Sequence, residues 1–375
     1  MGLSKCKVGD LVELVTEINS NLELGLNDVM GMTLTKEIIP TKADINPKEL
    51  PKFIIVSKND FIYNPRTHGK KIGFGFNDGN RRFLISWNNI AFRIKKEKLK
   101  EILPYYLWMW LKREEWDRKA VFNSWGSSTE VFSWNEFCDM DITFPSIAIQ
   151  QRYVDIYTGM LDNQKSYENG LDDLKITCDS TIENLRKKYN CEEIGEYINR
   201  LDNKNTDNKI SVVKNVSVYK TFNEPTAKVN RNALSNYKIV EKNQIAFVQT
   251  THNEKVFAYA INDYDYDIVV SSVDEVFETN QNKLLPHYLC LFFNRNEFDR
   301  YARYHSWGSA RETFTWDDLI NVKIPIPPVE IQQDLANIFM LYKQRKEINE
   351  ELKQVIMNLC PILIIGSLRE GENHE

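Results

Sequence analysis

The chain lacks most of what would mark an enzyme, a secreted protein or a membrane protein. Its six cysteines (Cys6, Cys138, Cys178, Cys191, Cys290, Cys360) are scattered singly. With no C-x-x-C pair and no histidine at ligand spacing, they read as buried thiols rather than a disulfide framework or a metal site. No window approaches the ~18 consecutive apolar residues of a membrane span. Nor does the N-terminus show the basic and apolar regions of a secretory signal, so a cytosolic protein is expected. Positive charge is not in excess either. A net charge of -5 argues against a general DNA-coating protein, because non-specific binding is mainly phosphate neutralisation; it leaves room for a local reader. Catalytic motifs are missing too. Asn64-Pro65-Arg66 lacks the second proline and the aromatic of the [DNS]-P-P-[FYW] motif of amino-methyltransferases. There is no G-x-x-x-x-G-K-[ST] loop and no H-E-x-x-H pair, and Gly73-Phe74-Gly75 is a weak glycine pattern. No catalytic and no metal-ligating residue is assigned.

What is present is a duplication. Ser124-Trp125-Gly126-Ser127 recurs as Ser306-Trp307-Gly308-Ser309, about 180 positions on, a period far longer than a solenoid unit. At the same offset Glu130, Phe132, Trp134, Ile142, Pro145, Ile149, Gln150 and Gln151 meet Glu312, Phe314, Trp316, Ile324, Pro327, Ile331, Gln332 and Gln333. Leu103-Pro104 and Leu107 match Leu285-Pro286 and Leu289; Lys58-Asn59 and Thr67-His68 match Lys242-Asn243 and Thr251-His252 with a two-residue shift. Asp139 and Asp141 meet Asn321 and Lys323, so no carboxylate pair is duplicated. A hydrophobic content of 42% with 27% charged residues indicates folded protein, and the length suits two globular units.

Two kinds of segment alternate. Short β-rich runs such as Phe53-Ile54-Ile55-Val56, Phe61-Ile62-Tyr63 and Phe83-Leu84-Ile85-Ser86-Trp87 are punctuated by turn residues. Leu99 to Lys119 reads as an amphipathic surface helix. From Ile149 the period changes to threes and fours: Val154, Tyr157, Leu161, Gln164, Tyr167, Leu171, Leu174, Cys178, Ile182 and Leu185 form a coiled-coil seam. No proline interrupts residues 146 to 224, and a helix from 149 to about 188 would be on the order of 58 Å long. A second seam follows Pro327-Pro328: Leu335, Ile338, Tyr342, Arg345, Ile348, Leu352, Val355 and Leu359. Neither helix can bury its seam on one compact domain, so antiparallel pairing of the two is expected. Gly159 and Gly170 read as bends or as places of close helix approach.

These features resemble the specificity subunit of Type I restriction-modification systems. The resemblance lies in the order of recognition domain, long helix, second domain and second helix. It lies also in Phe144-Pro145 running to Ile149-Gln150-Gln151, in Ile326-Pro327-Pro328 running to Glu330-Ile331-Gln332-Gln333, and in the openings Val8-Gly9-Asp10-Leu11 and Ile194-Gly195-Glu196-Tyr197. Ala148, where the family favours an acid, departs from the pattern. The resemblance implies an α+β fold with a pseudo-two-fold internal repeat: two β-rich α/β target-recognition domains separated by a long antiparallel two-helix coiled coil. The expected domains are 1–147, 148–190 (central helix), 191–328, 329–368 (distal helix) and 369–375 (tail). It implies binding of double-stranded DNA at a bipartite target with a fixed gap. It also implies docking of two methyltransferase subunits and, where the nuclease is present, restriction subunits. No cofactor is expected in this chain: S-adenosylmethionine belongs to the methyltransferase, ATP and Mg²⁺ to the restriction subunit. Val154, Leu161, Leu171, Leu174, Leu185, Leu335, Tyr342, Ile348 and Leu352 are the expected helix and partner-binding positions.

Within that frame the reading residues are sought in loops at matching places. In the first copy these are Asn64, Arg66, Thr67, His68, Lys70 and Lys71, joined by Arg81 and Arg82 in a stretch opposed only by Asp78. In the second they are Gln249, Thr250, Thr251, His252, Asn253 and Lys255, with Gln249 and Asn253 suited to adenine edges. Ser127, Ser128, Thr129 and Arg311 are candidate phosphate contacts, Lys255, Arg303, His305 and Arg311 the plausible basic contacts of the second copy, and Ser309 a further DNA-binding candidate. The bland alternative is a solvated polar hairpin, and Trp125, Trp134, Trp307 and Trp316 read as core aromatics. The counterpart of the basic stretch is acidic in the second copy, where Asp263, Asp265 and Asp267 surround Tyr264 and Tyr266. Two other functions stay open, a coiled-coil interaction protein and a diverged stand-alone DNA nuclease.

Overall fold

The computed structural model describes every residue except 1, 68–70, 127–129, 227, 231–232, 251–255, 309–311 and 374–375. The chain divides into two units, Met1–Lys165 with Glu350–Glu375, and Ser166–Asn349.

The first unit opens with β1 (Ser4–Lys7), α1 (Val8–Leu11) and β2 (Val12–Leu14). Then come β3 (Met30–Met32), β4 (Ile38–Pro40), β5 (Ile54–Val56), β6 (Phe61–Tyr63), β7 (Phe74–Phe76), β8 (Phe83–Ile85) and β9 (Ile90–Ile94). The helices α2 (Pro104–Leu111), α3 (Glu114–Phe122) and α4 (Trp134–Asp139) follow, and β10 (Asp141–Phe144) leads into α5 (Ile147–Lys188). A four-stranded antiparallel sheet of order β2-β9-β6-β7 is accompanied by the pairs β1–β10, β3–β4 and β5–β8.

The second unit repeats these elements with a 3₁₀ turn (Ile194–Glu196) in place of α1: β11 (Cys191–Glu193), β12 (Ile198–Leu201), β13 (Asn215–Val216), β14 (Phe222–Asn223), β15 (Lys238–Val240), β16 (Ile245–Phe247), β17 (Tyr259–Ile261), β18 (Ile268–Val270) and β19 (Glu275–Thr279). After α6 (Pro286–Phe293), α7 (Asn296–Tyr304) and α8 (Trp316–Ile320), β20 (Lys323–Pro325) leads into α9 (Val329–Glu372). Its sheet order, β12-β19-β16-β17 with β11–β20, β13–β14 and β15–β18, is the same. The glycine of each domain opening has a packing reason. A Cβ on Gly9 would lie 2.8 Å from Cys138 on α4, and one on Gly195 would lie 2.9 Å from Ile320 on α8.

One helix expected over residues 99–119 is two. The sequence of α2 is apolar all round and Tyr106 through Leu111 are buried, so it is a core helix rather than a surface one. The chain breaks at Arg113, which is extended, before α3 begins. A lysine from the neighbouring hairpin holds that break: Lys36 Nζ donates to the C-terminal carbonyl of α2 at Leu111 (2.7 Å) and pairs with Asp117 of α3 at 3.0 Å. In the second unit Lys220 Nζ donates to Phe293 O (2.8 Å) and pairs with Asp299 at 2.9 Å. Both lysines sit in hairpin turns at positive φ. Burial pulls both below the usual lysine range, against the attraction of their aspartates. Each clamp satisfies a helix-end carbonyl that would otherwise be orphaned.

Each long helix is uninterrupted, α9 continuing through Pro361 and past residue 369, where a tail is expected, to Glu372. In the first unit Val154, Tyr157 and Leu161 share a core with Ile356, Leu359, Cys360 and Leu363. In the second, Cys178, Ile182 and Leu185 share one with Leu335, Ile338, Phe339 and Tyr342. Tyr153 lies against Gly366, and Tyr157 against Cys360, so the helices run antiparallel there. All nine expected seam positions of the two helices are buried or half-buried. The register of α9 nevertheless slips: Arg345 and Val355 are exposed while Asn349 and Ile356 are buried. Gly159 has nothing near a Cβ, whereas Gly170 faces the Arg345 guanidinium. By length and composition α9 would suffice to cross a membrane, contrary to the sequence reading; Ile356, Cys360, Leu363 and Ile364 within it are buried in the first unit's core.

The first residue of each Gln-Gln pair fastens a long helix to its unit. Gln150 Nε2 donates to Glu101 O and Pro145 O (both 2.8 Å) and its Oε1 accepts from Leu103 N–H (2.9 Å). Gln332 does the same with Lys283 O (2.7 Å), Pro327 O (2.8 Å) and Leu285 N–H (2.8 Å). Both glutamines are fully buried. Gln150→Leu or Gln332→Leu strands three backbone groups and should destabilise the unit concerned by about 2–4 kcal/mol. Gln151→Ala, at an exposed i,i+4 pair with Asp155, should stay within about 0.5 kcal/mol. Urea unfolding of the full chain reads both, and equal losses would refute the clip.

Candidate nucleic-acid interface

Two segments far apart in sequence form one surface in each unit. After β6 the chain passes Asn64, whose side chain accepts from Arg66 N–H (3.0 Å), and then pairs with the stretch beyond α3. Arg66 bridges Val131, and Val131 bridges Trp125 on its other side. Phe132 N–H donates to Pro65 O at 2.7 Å and Thr67 N–H to Glu130 O at 3.1 Å. In the second unit Thr250 bridges Thr313 and Thr313 bridges Trp307, with Phe314 N–H donating to Gln249 O at 2.8 Å. Arg66 therefore corresponds to Thr250, and Pro65 to Gln249.

Directly opposed residues of an antiparallel bridge project to the same side. Arg66, Val131 and Trp125 thus form a row, and all three are exposed. Trp125 is 71% and Trp307 72% exposed, which overturns their reading as core aromatics. Trp134 and Trp316 do pack on the cores. The turn chemistry explains the difference. Ser124 and Ser306 are buried and donate to Ala120 O and Ala302 O, both at 2.7 Å. Gly126 and Gly308 take φ of 151° and 144°, a region that favours glycine. With its neighbours fixed on either side, the tryptophan is turned outward.

The expected basic stretch is divided. Residues 64–73 leave one end of the β6–β7 hairpin and residues 77–82 leave the other. Arg81 and Arg82 are therefore not brought together with Arg66 and Lys71. They are also engaged: Arg81 with Asp28 at 3.0 Å, Arg82 with Glu17 at 2.8 Å and Glu23 at 3.1 Å. Arg66 and Lys71 are exposed and have no ion-pair partner among the described residues. Arg303 pairs with Glu312. The Gln249 amide donates to buried Glu275, which also holds Arg200; its Nε2 is thus committed within the unit. His68, Lys70, Ser127, Ser128, Thr129, Thr251, His252, Asn253, Lys255, Ser309 and Arg311 lie outside the described residues.

The acidic counterpart also changes meaning. Asp263 occupies the place of Asp78, at the hairpin end away from Gln249 and Thr250. There it meets His287 at 2.7 Å and Lys343 at 2.6 Å, while Asp265 pairs with Lys242 at 2.6 Å. Burial raises the Asp263 carboxyl, but the two partners outweigh it and hold it below the usual range. The matching contact in the first unit is Tyr105 donating to Asp78 at 3.0 Å.

The family described as the Type I restriction modification DNA specificity domain matches residues 186–358, the span from the end of α5 through the second unit into α9. That stretch of the chain is thus similar to the Type I specificity domain. The specificity subunit of the Type I restriction enzyme HindI from Haemophilus influenzae is 26% identical over 128 residues, 34% of this chain and 28% of that relative. The match thus spans under a third of the relative's length. The crystal structure of the Type I restriction-modification S subunit from M. genitalium shares the fold, with a TM-score of 0.60 at 12% identity over 97% of this chain and 96% of that one. The bridged row and the buried glutamine clip recur in both units, although in the second only Trp307 of the row is exposed and Thr250 and Thr313 are half-buried. The clips give physical content to the Gln-Gln signature; the row had no signal beyond the repeated Ser-Trp-Gly itself.

One difference between the copies is titratable. Beside Glu275, Asp274 is pushed up to about 6 by burial, against a turn hydrogen bond and Lys238 that pull it down. Asn89 takes the corresponding turn position in the first unit. The folded carboxyl binds a proton more tightly than the unfolded one, near 3.9. Its contribution is therefore fully present below about pH 4 and is lost as pH rises through about 6. Asp274→Asn should stabilise the second unit by about 1–3 kcal/mol near pH 7, with the gain vanishing near pH 4. A gain independent of pH in urea unfolding would show that Asp274 is not the titrating group.

Proposed function

We propose that this chain is the DNA-reading subunit of a Type I restriction-modification complex. Each unit reads one half of a bipartite target with a fixed gap. The long helices dock two methyltransferase subunits, with restriction subunits joining where the nuclease is present, and the target adenine is methylated at N6 by the partner, which brings S-adenosylmethionine. The chain itself is non-catalytic.

The observation that carries this reading is the pairing of an unchanged frame with changed loops. Strand order, helix breaks, lysine clamps and glutamine clips match between the units. At the presented edge, Arg66 and Pro65 stand where the other unit has Thr250 and Gln249. Two different half-sites require such a difference, and a duplicated spacer does not. Arg66 suits a guanine edge or a phosphate, and Lys71, between the same two strands, supplies sequence-independent attraction.

Co-expression with the methyltransferase subunit from the same genome, followed by single-molecule sequencing of the DNA, tests the reading. Adenine methylation at one bipartite motif is expected, and exchanging residues 64–71 should alter one half of that motif only. Failure of the two proteins to associate, or methylation without a motif, would move the interaction-protein or nuclease alternative ahead. Arg66→Ala with Lys71→Ala should weaken DNA binding at least about tenfold and lower the salt slope by about 1 per lost phosphate contact.

A further inference from the structure

Each unit carries a second exposed aromatic three residues before its exposed tryptophan. Phe122 ends α3 and is 82% exposed; Tyr304 ends α7, at the matching position, and is 77% exposed. One turn earlier on the same helix face stand exposed Arg118 and Arg300, an i,i+4 relation to the aromatic. Arg300 is held by Glu297 at 3.0 Å. The order arginine, aromatic, tryptophan is thus the same in both units, although Phe122 and Tyr304 differ and the adjoining loop residues have changed.

Large rings do not stay in water without cause at matching places. The exposed indole and the exposed ring three residues before it are both side chains that burial in a partner would stabilise. The row also lies next to the loop edge. Trp125 is two strand spacings from Arg66, about 10 Å, which is less than the ~12 Å width of a major groove. A duplex seated on Arg66 therefore covers Trp125. The part of the surface that is the same in both units suits what is the same in both half-sites, the sugar-phosphate backbone and the base steps. Phosphate is met by cations; a neutral ring is suited to wedging at a base step, where partial unstacking opens a base face to it.

We propose that Trp125 with Phe122, and Trp307 with Tyr304, are sequence-independent aromatic contacts to duplex DNA, one pair per half-site, that press on the base stack. This rests on the DNA-reading function above and deepens it. The contact releases no counterions, so its removal lowers affinity without changing the salt dependence, unlike removal of Arg66.

The test uses the full chain, the variants Trp125→Ala, Trp307→Ala and both together, and a fluorescein-labelled mixed-sequence duplex titrated at several salt concentrations. Trp125→Phe and Trp307→Phe serve as conservative controls, and thermal unfolding confirms that the exposed substitutions leave the fold intact. The expected result is a loss of about tenfold in affinity per alanine, an unchanged salt slope, substantial rescue by phenylalanine, and undiminished co-purification of the methyltransferase subunit. Wild-type affinity in the double alanine variant would overturn the proposal. So would alanine variants that bind DNA normally but lose the methyltransferase, since the rings would then face protein. If the wild-type chain does not bind the duplex at all, the DNA-reading function falls with it, a result distinct from loss in the variants alone.

Discussion

A fully buried glutamine amide at the root of each long helix is the constraint on which the rest of the structure depends. Gln150 has one acceptor and two donors, and all are matched to backbone groups at Glu101, Leu103 and Pro145. Those three places are the approach to α2, its N-cap and the end of β10. One side chain therefore fixes where the core helix begins, where the closing strand stops and how α5 departs. Shifting the helix by one residue would bring Gln151, whose amide is engaged on the surface, or Ile149, which has no polar group. Only one register satisfies the buried carbonyls, and an unpaired one costs about 1–3 kcal/mol. The same arithmetic holds at Gln332.

The lysine clamp extends that order outward. With α2 started by the glutamine and ended by Lys36, α3 must begin at Arg113, and its far end delivers Ser124 to the turn that bears Trp125. The presented edge is thus positioned by a chain of buried polar contacts rather than by the loop's own sequence. This is why the loop residues can differ between units while their backbone pairing does not: Arg66 to Val131 and Thr250 to Thr313 are the same bridge.

What was legible in the sequence was local or periodic. The duplication, the short strands and the two long helices follow from patterns that repeat within a few residues, and they appear in the fold. The contacts that lock those elements do not repeat in that way. Lys36 finds Asp117 on a helix far along the chain, and nothing in the hairpin marks that lysine as buried. Arg81 and Arg82 looked like neighbours of Arg66 because sequence distance ignores a hairpin, which sends adjacent segments to opposite ends. Trp125 and Trp307 looked like core because hydrophobicity favours burial. The serine before each and the glycine after each overrule that preference. In α9, spacings of three and four could be threaded through Val355 or Ile356. Buried Asn349 decides the register, as a polar side chain in an apolar seam does.

Charge then bears on how such an edge could hold DNA. The chain carries a net charge of -5, and several of its cations are already matched: Arg81, Arg82 and Arg303 to acids, Lys36 and Lys220 inside the cores. The described residues of the presented edge leave Arg66 and Lys71 in the first unit and no equivalent pair in the second, where Thr250 replaces the arginine. Counterion release by two cations accounts for only a small part of a specific complex. On the DNA-reading function proposed above, contacts that do not depend on charge and are present in both units would add to that attraction. Among the described surface residues next to the two edges, the paired rings of Phe122 and Trp125 and of Tyr304 and Trp307 meet both conditions.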